Sequence, residues 1–249
     1  VRSNGIGAAA GLTWQVTDGL GLGAAIGYQD LRMAARERVA TLDADARYAG
    51  LYANWDVGQA YVRGGGTYAD YDLDAQRSVY TAYAPAQNIA GQSGAKSVTL
   101  FAETGYGFQW DAFTLTPYIQ LAHTRLKNDA FVEQGGSAAL SVDAQKDEWW
   151  AATGGLRGAW SVADGAEVSF GLGWQHADGD EHLFSQHRFV AGSSDFVVSS
   201  VPMARNVGIA DVAVSVNTSA RSRLSVSAQG RSGDGLKDLG AGVTWQVGF

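Results

Sequence analysis

The sequence predicts an all-β chain folded as a transmembrane antiparallel up-and-down β-barrel, and three observations predict it. Apolar residues alternate with small or polar ones over segments long enough to cross a membrane at a tilt. The connections between segments are alternately tight turns and long polar stretches, which is how bacterial outer-membrane barrels are built. Aromatic residues gather beside the tight turns, where a girdle would meet the membrane interface.

About eleven segments follow one another. The first, Ser3 to Val16, runs into the tight turn Thr17-Asp18-Gly19, and the second climbs to a polar stretch from Arg36 to Asp43. The third descends to Asp56-Val57-Gly58-Gln59, and the fourth climbs to Ser78–Gly94. The fifth presents Leu100, Ala102, Thr104, Tyr106, Phe108 and Trp110 on one face; Phe101 is an exception on the other, beside Thr99, Glu103, Gly105 and Gln109. After Asp111-Ala112 the sixth climbs to Lys127–Gln145, and the seventh descends to Ala163-Asp164-Gly165-Ala166. The eighth sets Val168, Phe170, Leu172 and Trp174 against Glu167, Ser169, Gly171, Gly173 and Gln175, and climbs to His182–Ala204. The ninth descends to Thr218-Ser219-Ala220-Arg221, and the tenth ends at the short Gly233-Asp234-Gly235. In the last, Leu239, Ala241, Val243, Trp245, Val247 and Phe249 alternate with Gly240, Gly242, Thr244, Gln246 and Gly248. Asp, Gly and Ser dominate the tight turns because they accept turn dihedrals. Trp14, Trp55, Trp110, Phe113 and Trp160 beside those turns make the expected aromatic girdle.

Composition agrees. No apolar run approaches the ~18–20 residues a spanning helix needs, and a mean hydropathy of −0.11 does not count against a barrel, since only every second wall residue meets lipid. With 33 Gly and 3 Pro the chain suits closely packed strands. The absence of Cys excludes disulfides, thiolate metal sites and a thiol nucleophile. A net charge of −7 without a basic run argues against nucleic acid as a partner.

First and last segments both run toward the tight-turn side, so their number is odd, whereas a closed antiparallel ring needs an even one. The expectation is twelve strands in the full domain, about eleven of them in this chain, with one missing at the N-terminus. Val1-Arg2-Ser3-Asn4 carries no signal-peptide pattern, which suggests a mature or truncated piece.

An ionisable group facing lipid costs roughly 2–4 kcal/mol at the midplane, so polar residues of the wall should turn inward. Alternation places Arg63, Glu103, Tyr118, Gln120, Arg157, Gln175, Asp211, Gln229 and Arg231 on that lumen face. Their expected role is an ion-pair network that keeps the lumen open or braces what passes through it. His123, His176, His182 and His187, the last three near Asp178, Asp180 and Glu181, read as solvated surface, since a flexible loop lacks the rigidity a metal site requires. No cofactor is expected. No Gly-x-Ser-x-Gly elbow, phosphate loop or zinc helix occurs. His123, His176 and Ser185 could mimic a hydrolase set on the barrel rim, with Ser185 and His187 the pair to test.

The terminal Val243, Trp245, Val247 and Phe249 resemble the signal by which the barrel-assembly machinery takes up outer-membrane proteins. The order of segments resembles the autotransporter translocator family across residues 1–249: Gly11-Leu12-Thr13-Trp14-Gln15 to Gly27-Tyr28, Phe113-Thr114-Leu115-Thr116-Pro117-Tyr118, Phe131-Val132-Glu133-Gln134, Leu140-Ser141-Val142, Gly171-Leu172-Gly173-Trp174-Gln175-His176 and the last segment. The resemblance implies a twelve-stranded translocator domain, integral to a Gram-negative outer membrane, whose pore holds a linker helix leading to an N-terminal passenger exported to the cell surface. Expected partners are that passenger and helix, the assembly machinery, and outer-membrane lipid and lipopolysaccharide. A porin-like channel and, behind it, a rim hydrolase are the alternatives.

Overall fold

The computed structural model describes residues 2–35, 40–81, 84–179, 184–199 and 203–248, and every regular element within them is a β-strand. The wall is built from β1 (Arg2–Gln15), β2 (Leu20–Ala35), β3 (Ala40–Val57), β4 (Ala60–Thr81), β5 (Ala84–Tyr106), β6 (Phe108–Trp110) and β7 (Phe113–Asn128). It continues with β10 (Gln145–Ala163), β11 (Ala166–Gly179), β14 (Asn206–Ser219), β15 (Ser222–Gly233) and β16 (Leu236–Val247). Strands pair antiparallel in chain order, and β6 continues β5 beyond Gly107 in the same register on β7, so eleven paths cross the wall. The sheet curls into a half-barrel in which β1 and β16 each have one neighbour.

Alternation sorts the wall into two faces. Leu12, Ile26, Leu51, Leu100, Ile119, Leu172 and Leu239 are among the large apolar side chains exposed on the outer one. So long an exposed apolar belt is stable only against lipid. Tight turns close the ladder, and Gly58 and Gly165 at one end and Gly235 at the other take left-handed φ of 62°, 75° and 72°, strained for any residue with a Cβ.

The long polar stretches depart from expectation. Of Arg36–Asp43 the residues from Ala40 belong to β3 and residues 36–39 lie outside the described ones, while the Ser78–Gly94 hairpin runs as strand to Thr81 and from Ala84. Above the lipid the outward face of the hairpin meets water instead of lipid, so its apolar comb is lost while the backbone ladder persists and the inward Ile89, Gly91 and Ala95 stay buried. The other two stretches supply β8 (Phe131–Val132), β9 (Leu140–Val142), β12 (Phe184–Phe189) and β13 (Phe196–Ser199), a second sheet in the order β13-β12-β9-β8. It leans on the inward side of the raised hairpins and encloses with them a cavity of ≈ 310 Å³ lined by Leu42, Leu73, Phe131 and Val142. Arg77 of β4 clamps it, donating from Nε and Nη2 to Glu133 (2.9 and 2.6 Å) and from Nη2 to the Ala138 carbonyl (2.8 Å).

Candidate functional site

One register row runs along the inner face from Arg63 on β4 through Glu103, Gln120 and Thr153 to Gln175 on β11. A second joins Arg157 through Gly171 and Asp211 to Gln229. Tyr118 and Arg231 have the same parity on β7 and β15, so these nine residues share one face of the sheet.

The structure draws part of this set into one cluster. Glu103 is 5% exposed, and its carboxylate accepts four hydrogen bonds. Arg157 donates from Nη1 to Oε1 at 2.6 Å and from Nη2 to Oε2 at 2.9 Å. The Tyr61 hydroxyl donates to Oε1 at 2.9 Å, and Gln120 donates from Nε2 to Oε2 at 3.1 Å. Burying a carboxylate requires this completeness, because each unmet lone pair would carry its desolvation penalty. The guanidinium of Arg157 lies 3.8 Å from the centre of the Tyr118 ring, and that of Arg63 lies 4.3 Å from the Tyr61 ring. Both contacts have the geometry of cation–π pairs.

Glycine makes the cluster possible. A Cβ on Gly105 would stand 2.6 Å from the Tyr61 ring, and one on Gly155 would stand 2.7 Å from the Tyr118 ring. The rings therefore lie flat across neighbouring strands and deliver hydroxyl and π face to the ion pair.

Arg157 on β10 reaches Glu103 on β5 across β7, and Arg231 on β15 reaches Gln175 on β11 across β14 with a 2.9 Å bond from Nη2 to Oε1. Arg223 bonds Glu167 across the same gap at 2.7 Å. Alternate strands of a flat sheet stand ~10 Å apart, so these bridges mark the polar inner face as the concave one. Asp211 and Gln229 are exposed there, Asp211 lying over Gly171. Chemically the cluster is a brace: both oxygens of Glu103 are consumed by donors, which leaves no free general base.

Tyr61 and Thr153 are inner-face members that sequence reasoning missed. Tyr61 was findable, since it stands two residues before Arg63 and shares its face.

The trio that could mimic a rim hydrolase is not brought together. His123 packs against Trp150 (ring centroids 4.5 Å) and His176 bonds Asn206 (2.9 Å), both on the outward face of different strands, whereas Ser185 bonds His187 Nε2 at 2.6 Å in the second sheet. His187 thus sits in a strand rather than in a flexible loop. Its Nδ1 is buried without a partner, so no carboxylate orients the ring as a catalytic base requires. Burial holds the His187 imidazole below its ordinary pKa, with Arg77 acting in the same direction against Glu133 and Asp143. His182 lies outside the described residues. Among those described, no three His, Asp or Glu side chains group as a metal site.

On the outer face Trp110, Phe113 and Trp160 share a register row, with Trp110 stacked on Phe113 (ring centroids 6.2 Å) and Phe113 on Phe170 (6.3 Å). Trp14 and Trp55 are exposed at the same end of the wall. Val243, Trp245 and Val247 point outward on β16, and Phe249 lies outside the described residues.

The autotransporter beta-domain family model matches residues 1–229. Two proteins of Serratia marcescens, each named extracellular serine protease, are similar to this chain. One is 36% identical over 207 residues (81% of this chain, 20% of that protein), the other 33% over 245 (96% and 23%). The chain spans about a fifth of their length. The translocator domain of the autotransporter NalP from Neisseria meningitidis superposes with a TM-score of 0.82 at 16% identity, over 99% of this chain and 80% of that one. The β domain of the Bordetella autotransporter BrkA gives 0.67 at 15% identity, over 98% and 87%. The transport unit of the autotransporter AIDA-I from Escherichia coli gives 0.66 at 12%, over 99% and 82%. At these identities the likeness is one of fold.

Proposed function

The chain belongs to the autotransporter β-domain family, and from that premise we propose that it is the outer-membrane anchor and translocator through which an N-terminal passenger reaches the cell surface. A translocator of this family carries a passenger, and an integral outer-membrane location follows from the family. The observation that carries the proposal is the two-faced wall: an apolar outside that needs lipid, and a polar concave inside braced by ion pairs and hydrogen bonds across strands. A polar lumen of that kind offers an extended polypeptide a hydrated path. Glu103, Arg157, Tyr61 and Tyr118 would brace the wall against the linker helix.

Closure follows from strand direction. β1 and β16 run the same way, and an unpaired edge in hydrocarbon leaves each backbone N–H and C=O unsatisfied. One antiparallel strand N-terminal to β1, pairing with β16 as well, would close a ring of twelve. Val243, Trp245, Val247 and Phe249 would be read by the barrel-assembly machinery, and the outer belt would be solvated by lipid and lipopolysaccharide. In this reading the barrel itself catalyses nothing. The name of the Serratia relatives makes proteolysis a candidate activity for the passenger.

The test uses the natural full-length protein with an epitope tag in the region upstream of residue 1. Intact cells should expose the tag to antibody and to added protease. A tag retained in the periplasm, together with a stable open-pore conductance of the purified protein, would overturn the translocator in favour of a channel. For the assembly signal, deleting Phe249 and replacing Trp245 by Ala should lower the yield of barrel that migrates as folded in unheated gel samples; unchanged yield would sink that role.

A further inference from the structure

We propose that the outward face of β5, β7 and β10 carries a binding site for the phosphate groups of an outer-leaflet lipid, formed by Lys96, Lys127, Lys146 and Arg125. This rests on the membrane-barrel reading above and deepens it by naming the headgroup chemistry that one face of the wall holds. Lys96 stands opposite Lys127, and Lys127 opposite Lys146, so three ammonium groups share one row on strands ~4.8 Å apart. Like charges directly opposite one another destabilise a sheet. All three side chains are exposed on the outer face, and of the three only Lys127 has an ion-pair partner among the described residues. One pleat nearer the membrane, Arg125 shares its row with Val98 and Glu148.

The acidic neighbours do not cancel this charge. Asp129 is 3.3 Å from Lys127 Nζ, Glu148 accepts a 2.7 Å bond from Arg125 Nε, and Asp70 stands opposite Lys96. Among the described residues Lys96 and Lys146 form no salt bridge. With Asp72, one pleat above Lys96, engaged by Arg47, the four cations face three carboxylates within one pleat of the lysine row, and the row itself sets three ammonium groups beside Asp70 alone.

The height is that of lipid headgroups. From the girdle residue Phe113, β7 climbs roughly 31 Å along the barrel axis to Arg125 and roughly 36 Å to Lys127, at ~3.4 Å per residue and a ~40° tilt. The apolar band of an outer-membrane barrel is ~25 Å tall, which puts Arg125 just above hydrocarbon and the lysines within reach of it by their flexible stems. Trp150 and Tyr68, exposed on the outer face below the lysine row, mark the interface itself. A phosphate seated between adjacent ammonium groups replaces their repulsion with charge-assisted hydrogen bonds.

The experiment is native mass spectrometry of the full-length protein in detergent, titrated with bis-phosphorylated lipid A, with the same lipid stripped of its phosphates, and with inorganic phosphate. Wild type should retain the phosphorylated lipid, and K96Q/K127Q/K146Q should retain it roughly a hundredfold less, at about 1 kcal/mol per surface cation. K237Q, which removes an exposed cation from the outer face of β16, should bind as wild type does. Equal retention of the dephosphorylated lipid, or unchanged binding by the triple variant, overturns the site. Displacement of the lipid by millimolar inorganic phosphate overturns the lipid as its occupant. Should the triple variant not assemble, wild type at raised NaCl serves instead: retention indifferent to salt refutes the proposal. Passenger display by the triple variant reads the translocator role separately, so export with lipid binding lost leaves that role standing, and lipid binding without export in wild type would break only the earlier reading.

Discussion

Removing Arg157 should destabilise the barrel more than removing Glu103, although the two form a single ion pair. Arg157→Ala leaves a carboxylate that is 5% exposed with two of its four donors gone. Glu103→Ala leaves a guanidinium whose side chain is 38% exposed and can turn to lumen water. Breaking a buried pair by deleting one partner costs ~3–5 kcal/mol when the survivor stays buried. The partial exposure of Arg157 puts Arg157→Ala at the lower end, about 3 kcal/mol, and Glu103→Ala nearer the ~1–2 kcal/mol of lost charged hydrogen bonds. For a chain of this length ~2–4 °C of midpoint corresponds to each kcal/mol, so the losses should be about 6–12 °C and about 2–8 °C. The midpoint can be read by heating detergent-solubilised protein in steps and following the folded band on a gel without boiling. The double variant should unfold no lower than Arg157→Ala, because the orphaned carboxylate is gone with it. A Glu103→Ala loss equal to or larger than that of Arg157→Ala, or strictly additive losses in the double variant, would refute the account of a buried anion held by a wetter cation.

Three more expectations concern the wall and the second sheet. Gly155→Val should cost ~1–3 kcal/mol by overpacking, since its Cβ would stand 2.4 Å from the Leu172 carbonyl oxygen and 2.7 Å from the Tyr118 ring, whereas Gly154→Ala, whose Cβ meets nothing within 4 Å, should leave the folded-band midpoint unchanged; equal effects would show that the Tyr118 ring does not need the glycine. Arg77→Ala should raise amide exchange of Glu133 and Leu140 by roughly ten- to a hundredfold, the loss of ~1.5–3 kcal/mol of charged hydrogen bonding to a carboxylate that is 9% exposed; unaltered exchange means that the clamp does not hold the second sheet. His187 binds its proton less readily packed than unpacked, so the second sheet should lose stability as pH falls through the unpacked value of ~6.5 and level off below the packed one. Exchange across residues 184–199, corrected for intrinsic rate, should therefore rise from pH 7.5 to 5.5, and His187→Gln should abolish the difference; a pH response retained in that variant would show that His187 is not its source.

How much of this could be read from the sequence depended on whether a property is local or a matter of register. The face of Trp245 or Leu172 is decided by parity alone, because lipid on one side and water on the other leave a period of two in the residues themselves. The Ser78–Gly94 hairpin is strand without that signal: above the membrane the outward Ser78, Asn88 and Gln92 meet water rather than lipid, and the ladder is held by backbone bonds that no side chain records. Parity sent Glu103 and Arg157 inward, yet not toward each other, since Arg157 lies in the row of Thr116 and Gly171 while Glu103 lies in that of Gln120. Their meeting needs curvature and the glycines beneath two tyrosine rings. The lysine row shows where the boundary falls. Lys96 and Lys127 are equidistant from Asp111-Ala112, so that tight turn already fixes them opposite each other. Lys146 is joined to Lys127 through the stretch that folds into β8 and β9, and no turn chemistry sets that register. It is fixed by the whole β7–β10 ladder, which is why a charge cluster spread over three strands was invisible as three separate lysines.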